Sequence, residues 1–428
     1  MFGKLFKRAA TKPVAAASNG ERPAHRLPIE FLRKLIPIGE QDSKELIKLP
    51  IALCQFNAGD IVFNRGEASD TLIYLYSGKV FLESANGGYT VEENTFKACY
   101  PLAAHGEHSV SAIAQTPSQL IYLPLSLLRQ SSAQPHNPLA NRANPPAELR
   151  NSPLFAKLCA AYDADALQVP SLPDVALRLR SALQKDISVA DAVKIVNLDP
   201  AISSKLVQVA NSPIYRGLKP VSNSHDAVNH LGFKITQNLV TSVSLHQLFR
   251  STNKVLQQKS QQAWKQSIQI ASLSCTLAGL GKKINADEAL LAGLTHNIGV
   301  LPIITLAGSL PASEYTEAEL DACIDYLQGL FGTFILKKWH FPDTLIQIPA
   351  QTGNWYYDAG EGLQLHDIVL LAKFHSQLGG IRMHKLPPLN TLPAFHKLDD
   401  CALTPDMSLQ VLQDAKQQIA EALAFFRA

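Results

Sequence analysis

The feature that most constrains the fold is a cluster of prolines. SSAQPHNPLANRANPPAELRNSP, residues 131–153, sets Pro135, Pro138, Pro145, Pro146 and Pro153 among small polar residues. Proline lacks a backbone donor and clashes with the preceding turn, so no helix survives that spacing. The chain is therefore expected to fold as separate bodies joined by a Pro-rich linker, residues 131–164. Its 428 residues leave room for two to four domains.

The patterns on the two sides differ. Residues 27–130 open with short helical segments, LPIEFLRKLIPIG and SKELIKLPIAL, followed by alternating runs broken by glycine: DIVFNRG, TLIYLYSGKVFLES, TVEE and SQLIYLP. Short strands between glycine turns predict a compact β-roll. From about residue 165 the period becomes helical. Ser171 is expected to cap a helix with Pro173 near its first turn and Val175, Leu179 and Leu183 on its apolar face. Ser188 caps the next, and Asp199-Pro200 is a cap with proline at the first helical position of a third, which Asn211, Ser212 and Pro213 stop. Further helices are expected near 224–231, 234–250, 255–280, 286–296, 317–338, 343–350, 364–378 and 408–426. The fold class is thus α+β and multidomain: an N-terminal β-roll, then an all-α domain over 165–428 with a C-terminal helical extension.

Composition narrows the function classes. With 46% hydrophobic and 18% charged residues the chain is not disordered throughout. A net charge of +3 is too small for the whole chain to be a nucleic-acid binder. Residues 1–26 carry Lys4, Lys7, Arg8, Lys12, Arg22 and Arg26 against Glu21, which reads as a flexible basic arm without the apolar run of a signal peptide. Cys54, Cys99, Cys159, Cys275, Cys323 and Cys401 are scattered with no CxxC pair, a pattern of buried thiols in a reducing cytoplasm. Residues 289–313 hold no formal charge, but His296, Asn297, Gly299, Pro302 and Gly308 mark a buried helix, turn and helix in place of a transmembrane segment.

AGDIVFNRGEASDTLIYLYSGKVFL, residues 58–82, resembles the first half of the cyclic-nucleotide-binding domain, with Gly59-Asp60, Gly66 and Gly78-Lys79 at its turn positions. In that family a phosphate-binding cassette sets a Gly-Glu pair about ten residues before an Arg and a hydroxyl residue. Glu binds the ribose and Arg neutralises the phosphate. Counted from SQLIYLP, the Arg position falls at His108, the hydroxyl position at Ser109, and the Gly-Glu position near Lys97-Ala98. Gly106-Glu107 imitates the pair but adjoins His108. The resemblance implies a cassette of Glu107, His108 and Ser109 that is degenerate for a cyclic nucleotide, although a small-molecule effector at the roll is still expected. PLSLLRQSSAQ permits only about two helical turns before the prolines, a departure from the DNA-binding members of that family.

Residues 169 to about 380 resemble the HDOD family, the HD-related output domain. The matching runs are VPSLPDVALRL, IVNLDPAISSKLVQVANSPIY, HDAVNHLGF, ALLAGLTHNIGVL and LKKWHFP. The resemblance implies the fold of HD phosphohydrolases, whose His and Asp side chains surround divalent metals. Here the first histidine position is Gln266, the doublet is His296-Asn297, the later histidine position is Gln328, and the last two are Thr352 and Gly353. Only His296 survives, so no catalytic metal, no cofactor and no enzyme activity are expected, and His296 is expected to be a buried ring satisfied by the backbone. His366-Asp367 repeats the doublet literally. His375 lies nine residues on, half a turn out of phase at about 100° per residue, so the two rings cannot share an ion. Asp367 instead suits a first helical turn. His225 and His230 likewise fall on different faces. HExxH, Walker A, GxSxG and GxGxxG do not occur. Trp264 and Trp339 are expected in the core, and Trp355-Tyr356-Tyr357 in an aromatic loop that either anchors a partner or packs on the bundle.

These features lead to an expected non-catalytic, cytoplasmic bacterial signal-transduction protein: a sensor-like roll coupled to an HDOD output domain that binds a downstream signalling protein, with no nucleic-acid partner. The alternative is a metal-dependent HD-type phosphohydrolase acting on a cyclic dinucleotide or nucleotide.

Overall fold

The computed structural model describes residues 27–398, apart from 41–42, 85–86, 105–106, 128–144, 184, 186, 213–214, 216, 218, 250–253, 282, 361 and 379–385. The basic arm, the C-terminal helix expected at 408–426, Gly106 and most of the linker lie outside the described residues. The chain divides into two compact units, Met1–Ala133 with Gly380–His396, and Gln134–Gly379 with Lys397–Ala428.

In the first unit, helices α1 (Ile29–Leu32) and α2 (Ser43–Ile47) precede seven strands: β1 (Ala52–Phe56), β2 (Ile61–Phe63), β3 (Thr71–Ser77), β4 (Lys79–Ser84), β5 (Gly87–Glu92), β6 (Ser111–Ala114) and β7 (Ser118–Pro124). They form two antiparallel sheets, ordered β1-β7-β3 and β2-β6-β4-β5. Val62, Phe63, Ile73, Leu75, Val80, Leu82, Val91 and Leu120 fill the space between them. The expected alternation fails in β3, where Leu72, Ile73, Tyr74 and Leu75 are all buried. Its outer face is covered as well, because Tyr74 donates its hydroxyl to the Ile36 carbonyl at 3.0 Å and Tyr76 stacks edge-on against Phe31. A strand covered on both faces reads as a continuous apolar run.

The second unit is helical: α3 (Pro153–Asp163), α4 (Asp174–Leu183), α5 (Val189–Val196), α6 (Pro200–Ala210), α7 (Ser224–Leu248), α8 (Lys254–Gly281), α9 (Ala286–Thr295), α10 (Val300–Ser309), α11 (Glu317–Lys338), α12 (Asp343–Ile346), α13 (Ile348–Gln351) and α14 (Leu365–Gln377). Two of the three caps read from sequence act as caps. Ser188 accepts the Asp191 N–H at 3.2 Å, and Asp199 accepts those of Ala201 and Ile202 at 2.9 and 3.2 Å. Ser171 does not, since α4 starts at Asp174, after Pro173. The two helices expected at 224–231 and 234–250 run on as α7, kinked at Gly232, whose φ of 77° is the left-handed region glycine favours.

Two boundaries differ from expectation. The segment assigned to the linker contains α3, whose Leu154, Phe155 and Leu158 are buried, with Tyr162 stacked on Phe331 of α11. Ser152 caps this helix by accepting the Phe155 N–H, and Pro153 sits at its first position, where its missing donor costs nothing. Residues 380–396, assigned above to the helical domain, group with the roll. The charge-free stretch folds as α9, a turn and α10. Ala286–Ser309 is long and apolar enough to cross a membrane by length and composition, but 83% of its most apolar window is buried inside the unit.

Candidate functional site

The cassette positions of the roll come first. Glu107 bridges Ala68, the His108 N–H donates to the Glu67 carbonyl at 3.0 Å, and the His108 carbonyl accepts the Gly66 N–H at 2.8 Å. This backbone pairing turns the imidazole inward, 4.1 Å from the Phe63 ring, at 6% exposure. Burial lowers its pKa, opposed by the Glu67 carboxylate, and Nδ1 has no hydrogen-bond partner. The structure brings Glu107, His108 and Ser109 together around a pocket floored by Phe63, Leu102 and Val110 whose free volume is only about 10 Å³. That is far below the ~300–1,000 Å³ of ordinary small-molecule sites. A neutral ring tilted against phenylalanine supplies neither the charge nor the planar fork of an arginine.

In the helical unit, His296 and Asn297 follow the last residue of α9 and are 5% and 2% exposed. His296 donates from Nδ1 to the Gly293 carbonyl at 2.6 Å. Desolvation, aided by the nearby Lys373 ammonium, pushes its pKa down to about 3 against that hydrogen bond. The ring is thus neutral, with the backbone partner expected for a structural histidine. Asn297 reaches across to α8, where Oδ1 accepts the Ser267 hydroxyl at 2.6 Å and Nδ2 donates to the Ala263 carbonyl at 3.0 Å.

The remaining positions do not converge on this pair as metal ligands. Gln266 is exposed. The residue facing Asn297 is Ser267, one step or about 100° further round the helix. Ala263, Ser267 and Ala271 form the inward stripe, a spacing of four that the sequence displays and that the alignment to Gln266 missed. The Gln328 backbone lies against Gly299 so closely that a Cβ there would collide with the Gln328 carbonyl. Thr352 is buried with its hydroxyl donated to Ile348, and Gly353 is exposed. Sequence reasoning also missed Lys373, the one charge in the apolar run IVLLAKF. It donates to the Thr352 carbonyl at 2.7 Å and stands 5.1 Å over the Trp355 ring. Among the described residues no three His, Cys, Asp or Glu side chains are grouped so as to hold a metal ion. The HD metal set does not fit this interior.

The literal doublet is structural too. Asp367, fully buried, accepts the Gln364 N–H at 2.8 Å in the first turn of α14, and Lys397 lies 3.4 Å from it and 2.7 Å from Asp358. His366 rests edge-on against Tyr357, and His375 donates to the Leu371 carbonyl. Trp264, Trp339, Tyr356 and Tyr357 are all buried, so the tyrosines of the aromatic segment pack on the bundle. Trp339 donates to the Pro170 carbonyl at 3.2 Å and accepts Arg180 on its own carbonyl at 3.1 Å, tying VPSLPDVALRL to LKKWHFP.

Residues 169–354 match the family model described as the HDOD domain. The chain carries an HDOD domain. A crystal structure from Shewanella amazonensis SB2B, of a protein named provisionally as a metal-dependent phosphohydrolase, is 29% identical with a TM-score of 0.54, covering 62% of this chain and 98% of that one. An uncharacterized protein of Treponema pallidum (strain Nichols) is 26% identical over 204 residues, 44% of this chain and 38% of the relative. The chain thus spans well under two thirds of that relative's length. The N-terminal region matches cyclic-nucleotide-binding-like structures, among them such a protein from Brucella abortus bv. 1 str. 9-941, 18% identical with a TM-score of 0.19, covering 24% of this chain and 95% of that one. The architecture is an N-terminal β-roll of two antiparallel sheets followed by a helical HDOD domain.

Proposed function

We propose that the chain is a non-catalytic signal-transduction protein of the bacterial cytoplasm, in which the HDOD domain binds a downstream protein and the roll is the sensor-like part. The observation that supports this most is Asn297. Where an HD hydrolase needs a metal-bridging carboxylate, this side chain spends both ends of its amide on Ser267 and Ala263. A hydrolytic ion needs several oxygen and nitrogen donors free to converge. The alternative, a metal-dependent phosphohydrolase, draws on the name of the Shewanella protein. Its donor set is what this chain lacks among the described residues.

The test is metal content and turnover. Protein supplied with manganese, nickel or iron should retain no stoichiometric metal by mass spectrometry, and it should not hydrolyse bis-p-nitrophenyl phosphate, cyclic nucleotides or cyclic dinucleotides above background. Metal near one equivalent, with turnover abolished in His296→Ala, would overturn the proposal in favour of the phosphohydrolase.

A further inference from the structure

Of the three cassette residues in the roll, one anchors its segment to the interior. Glu107 is exposed and Ser109 half-buried, whereas the His108 imidazole is buried. Backbone groups clamp this segment to the turn that follows β2: the His108 N–H donates to the Glu67 carbonyl at 3.0 Å, the His108 carbonyl accepts the Gly66 N–H at 2.8 Å, and Glu107 bridges Ala68. The other half of the clamp, Arg65 to Ala68, is exposed. A titratable ring is therefore the buried pin of a clamp whose strands lie in water.

The pin suits its place only while it is neutral. Its ring lies at 34° to Phe63, Nδ1 has no hydrogen-bond partner, and the free space beside it, about 10 Å³, is room for roughly one water. Among the described residues, the charged side chains on the elements packed around it are Arg65 and Glu67 in the turn and Glu107 beside it, while Phe63, Leu102, Ala103 and Val110 contribute no charge. Glu67 is the one whose charge reaches the ring, and it favours the proton. Its carboxylate is already committed to Asn64, accepting the backbone N–H at 2.9 Å and the side-chain amide at 2.7 Å. A second proton on the ring would thus cost hydration and gain no hydrogen bond inside, whereas an imidazolium turned outward meets water. With the ring pinned, burial lowers its pKa, so the clamped form binds fewer protons than an open form whose imidazole titrates near ~6.5. The clamp is whole above that pH and weakens as pH falls below it.

We propose that this clamp is a proton-operated latch: protonation of His108 releases Glu107–Ser109 from the turn at Gly66–Ala68 and opens the cassette, so that acidification is the signal the roll reads. The latch rests on the sensor-like reading of the roll and gives it an effector, the proton.

The experiment follows amide hydrogen exchange of the full-length chain at pH 7.5 and pH 5.0 by fragmentation mass spectrometry, each rate divided by the intrinsic chemical rate at that pH. An open-state ring titrating near ~6.5 allows at most about a thirtyfold rise in opening between the two. The corrected exchange of the Gly66 and His108 amides should rise at least fivefold at pH 5.0, while the β4–β5 ladder of the same unit stays unchanged. In His108→Phe, which keeps an apolar pin and cannot titrate, the rise should vanish. Should His108→Phe melt early in calorimetry, His108→Gln, of similar size and also without a titration, takes its place. No rise in the parent, an equal rise in the variant, or an equal rise across the β4–β5 ladder would overturn the latch. The helical unit decides the sensor reading separately: an acid-dependent change in its exchange that His108→Phe abolishes supports it, and a latch that opens while the helical unit stays the same in parent and variant keeps the latch and sinks the sensor reading.

Discussion

Asn297→Asp recreates the HD doublet with a single atom changed, and the structure says what it does. Nδ2 now donates to the Ala263 carbonyl at 3.0 Å. After the substitution an ionised oxygen faces that carbonyl oxygen, at a position only 2% exposed, and the Ser267 hydroxyl is the one polar contact left to it among those Asn297 makes. An uncompensated buried charge costs about 3–5 kcal/mol. For a unit of this size that corresponds to roughly a 10 °C fall in melting temperature at neutral pH. Burial raises the folded-state pKa of such a carboxyl above the ~3.9 of an unfolded aspartate. Below about pH 4 both states are protonated, the neutral O–H can donate to Ala263, and the deficit is small; it opens as pH rises and the unfolded chain releases its proton.

The assay is built into the chain. Its three tryptophans, Trp264, Trp339 and Trp355, all belong to the helical unit, so their fluorescence reports the melting of that unit alone. Melting should be followed at pH 4 and pH 7.5, with and without manganese. The variant should trail the parent far more at pH 7.5 than at pH 4, and manganese should restore nothing. Parent-like melting at pH 7.5, or a manganese-dependent rise in the variant, would refute the argument that the interior around Asn297 is closed to metal chemistry.

Three further outcomes follow from the geometry. His296, with a pKa pushed down to about 3 and an unfolded value near 6.5, is neutral in the fold, so the unfolded chain binds the extra proton between those values and stability falls as pH drops from about 6.5 towards 3. His296→Gln should therefore lose less melting temperature than the parent between pH 7 and pH 4, and an identical acid loss would contradict the buried neutral ring. Ser152→Ala removes the cap of α3 and should cost about 0.5–2 kcal/mol in urea unfolding followed by tryptophan fluorescence, whereas an unchanged midpoint would mean that α3 contributes nothing to the unit. Calorimetry with cyclic AMP and cyclic GMP at micromolar concentrations should show no saturable heat, because His108 is packed against Phe63 and its pKa is lowered by burial, so it has no charge to offer a phosphate at neutral pH; clear binding would show that another group neutralises it.

How much of this was legible in the sequence depends on the range of the interaction involved. Ser188 and Asp199 were readable as caps because the partner is two or three residues away and the chemistry is fixed by residue type. Ser152-Pro153 uses the same signal but lies at the end of a proline cluster, where the proline reads as a breaker when it is the first residue of α3. The doublet and its missing carboxylate were visible at His296-Asn297. That the amide faces Ser267 and not Gln266 was not, since a slip of one residue on a helix moves a side chain by about 100° and only the phase of the neighbouring alanines corrects it. The inward turn of His108 depends on its backbone pairing with Glu67 and Gly66, forty-one and forty-two residues earlier, which no local pattern records.

The buried polar groups at the HD positions, His296, Asn297 and Thr352, are not remnants waiting for an ion, because each is already engaged. Asn297 joins the end of α9 to α8, Thr352 donates its hydroxyl along its own helix and its carbonyl accepts Lys373, and Gly299 permits the close approach to α11 at Gln328. A buried polar group is costly unless paired, so these pairings fix the identity of each residue as firmly as metal ligation would. Converting the interior to a metal site would require carboxylates and imidazoles at several of these positions at once. At Asn297 or Thr352 a carboxylate or imidazole introduced alone breaks an existing contact before it gains a ligand partner. Lys373 adds a further barrier: its ammonium, held on the Thr352 carbonyl and over Trp355, already places a positive charge close enough to His296 to depress its pKa. A divalent cation bound by His296 would have to enter against that charge, so the same lysine that helps keep the imidazole neutral also disfavours the ion that a neutral imidazole would otherwise attract.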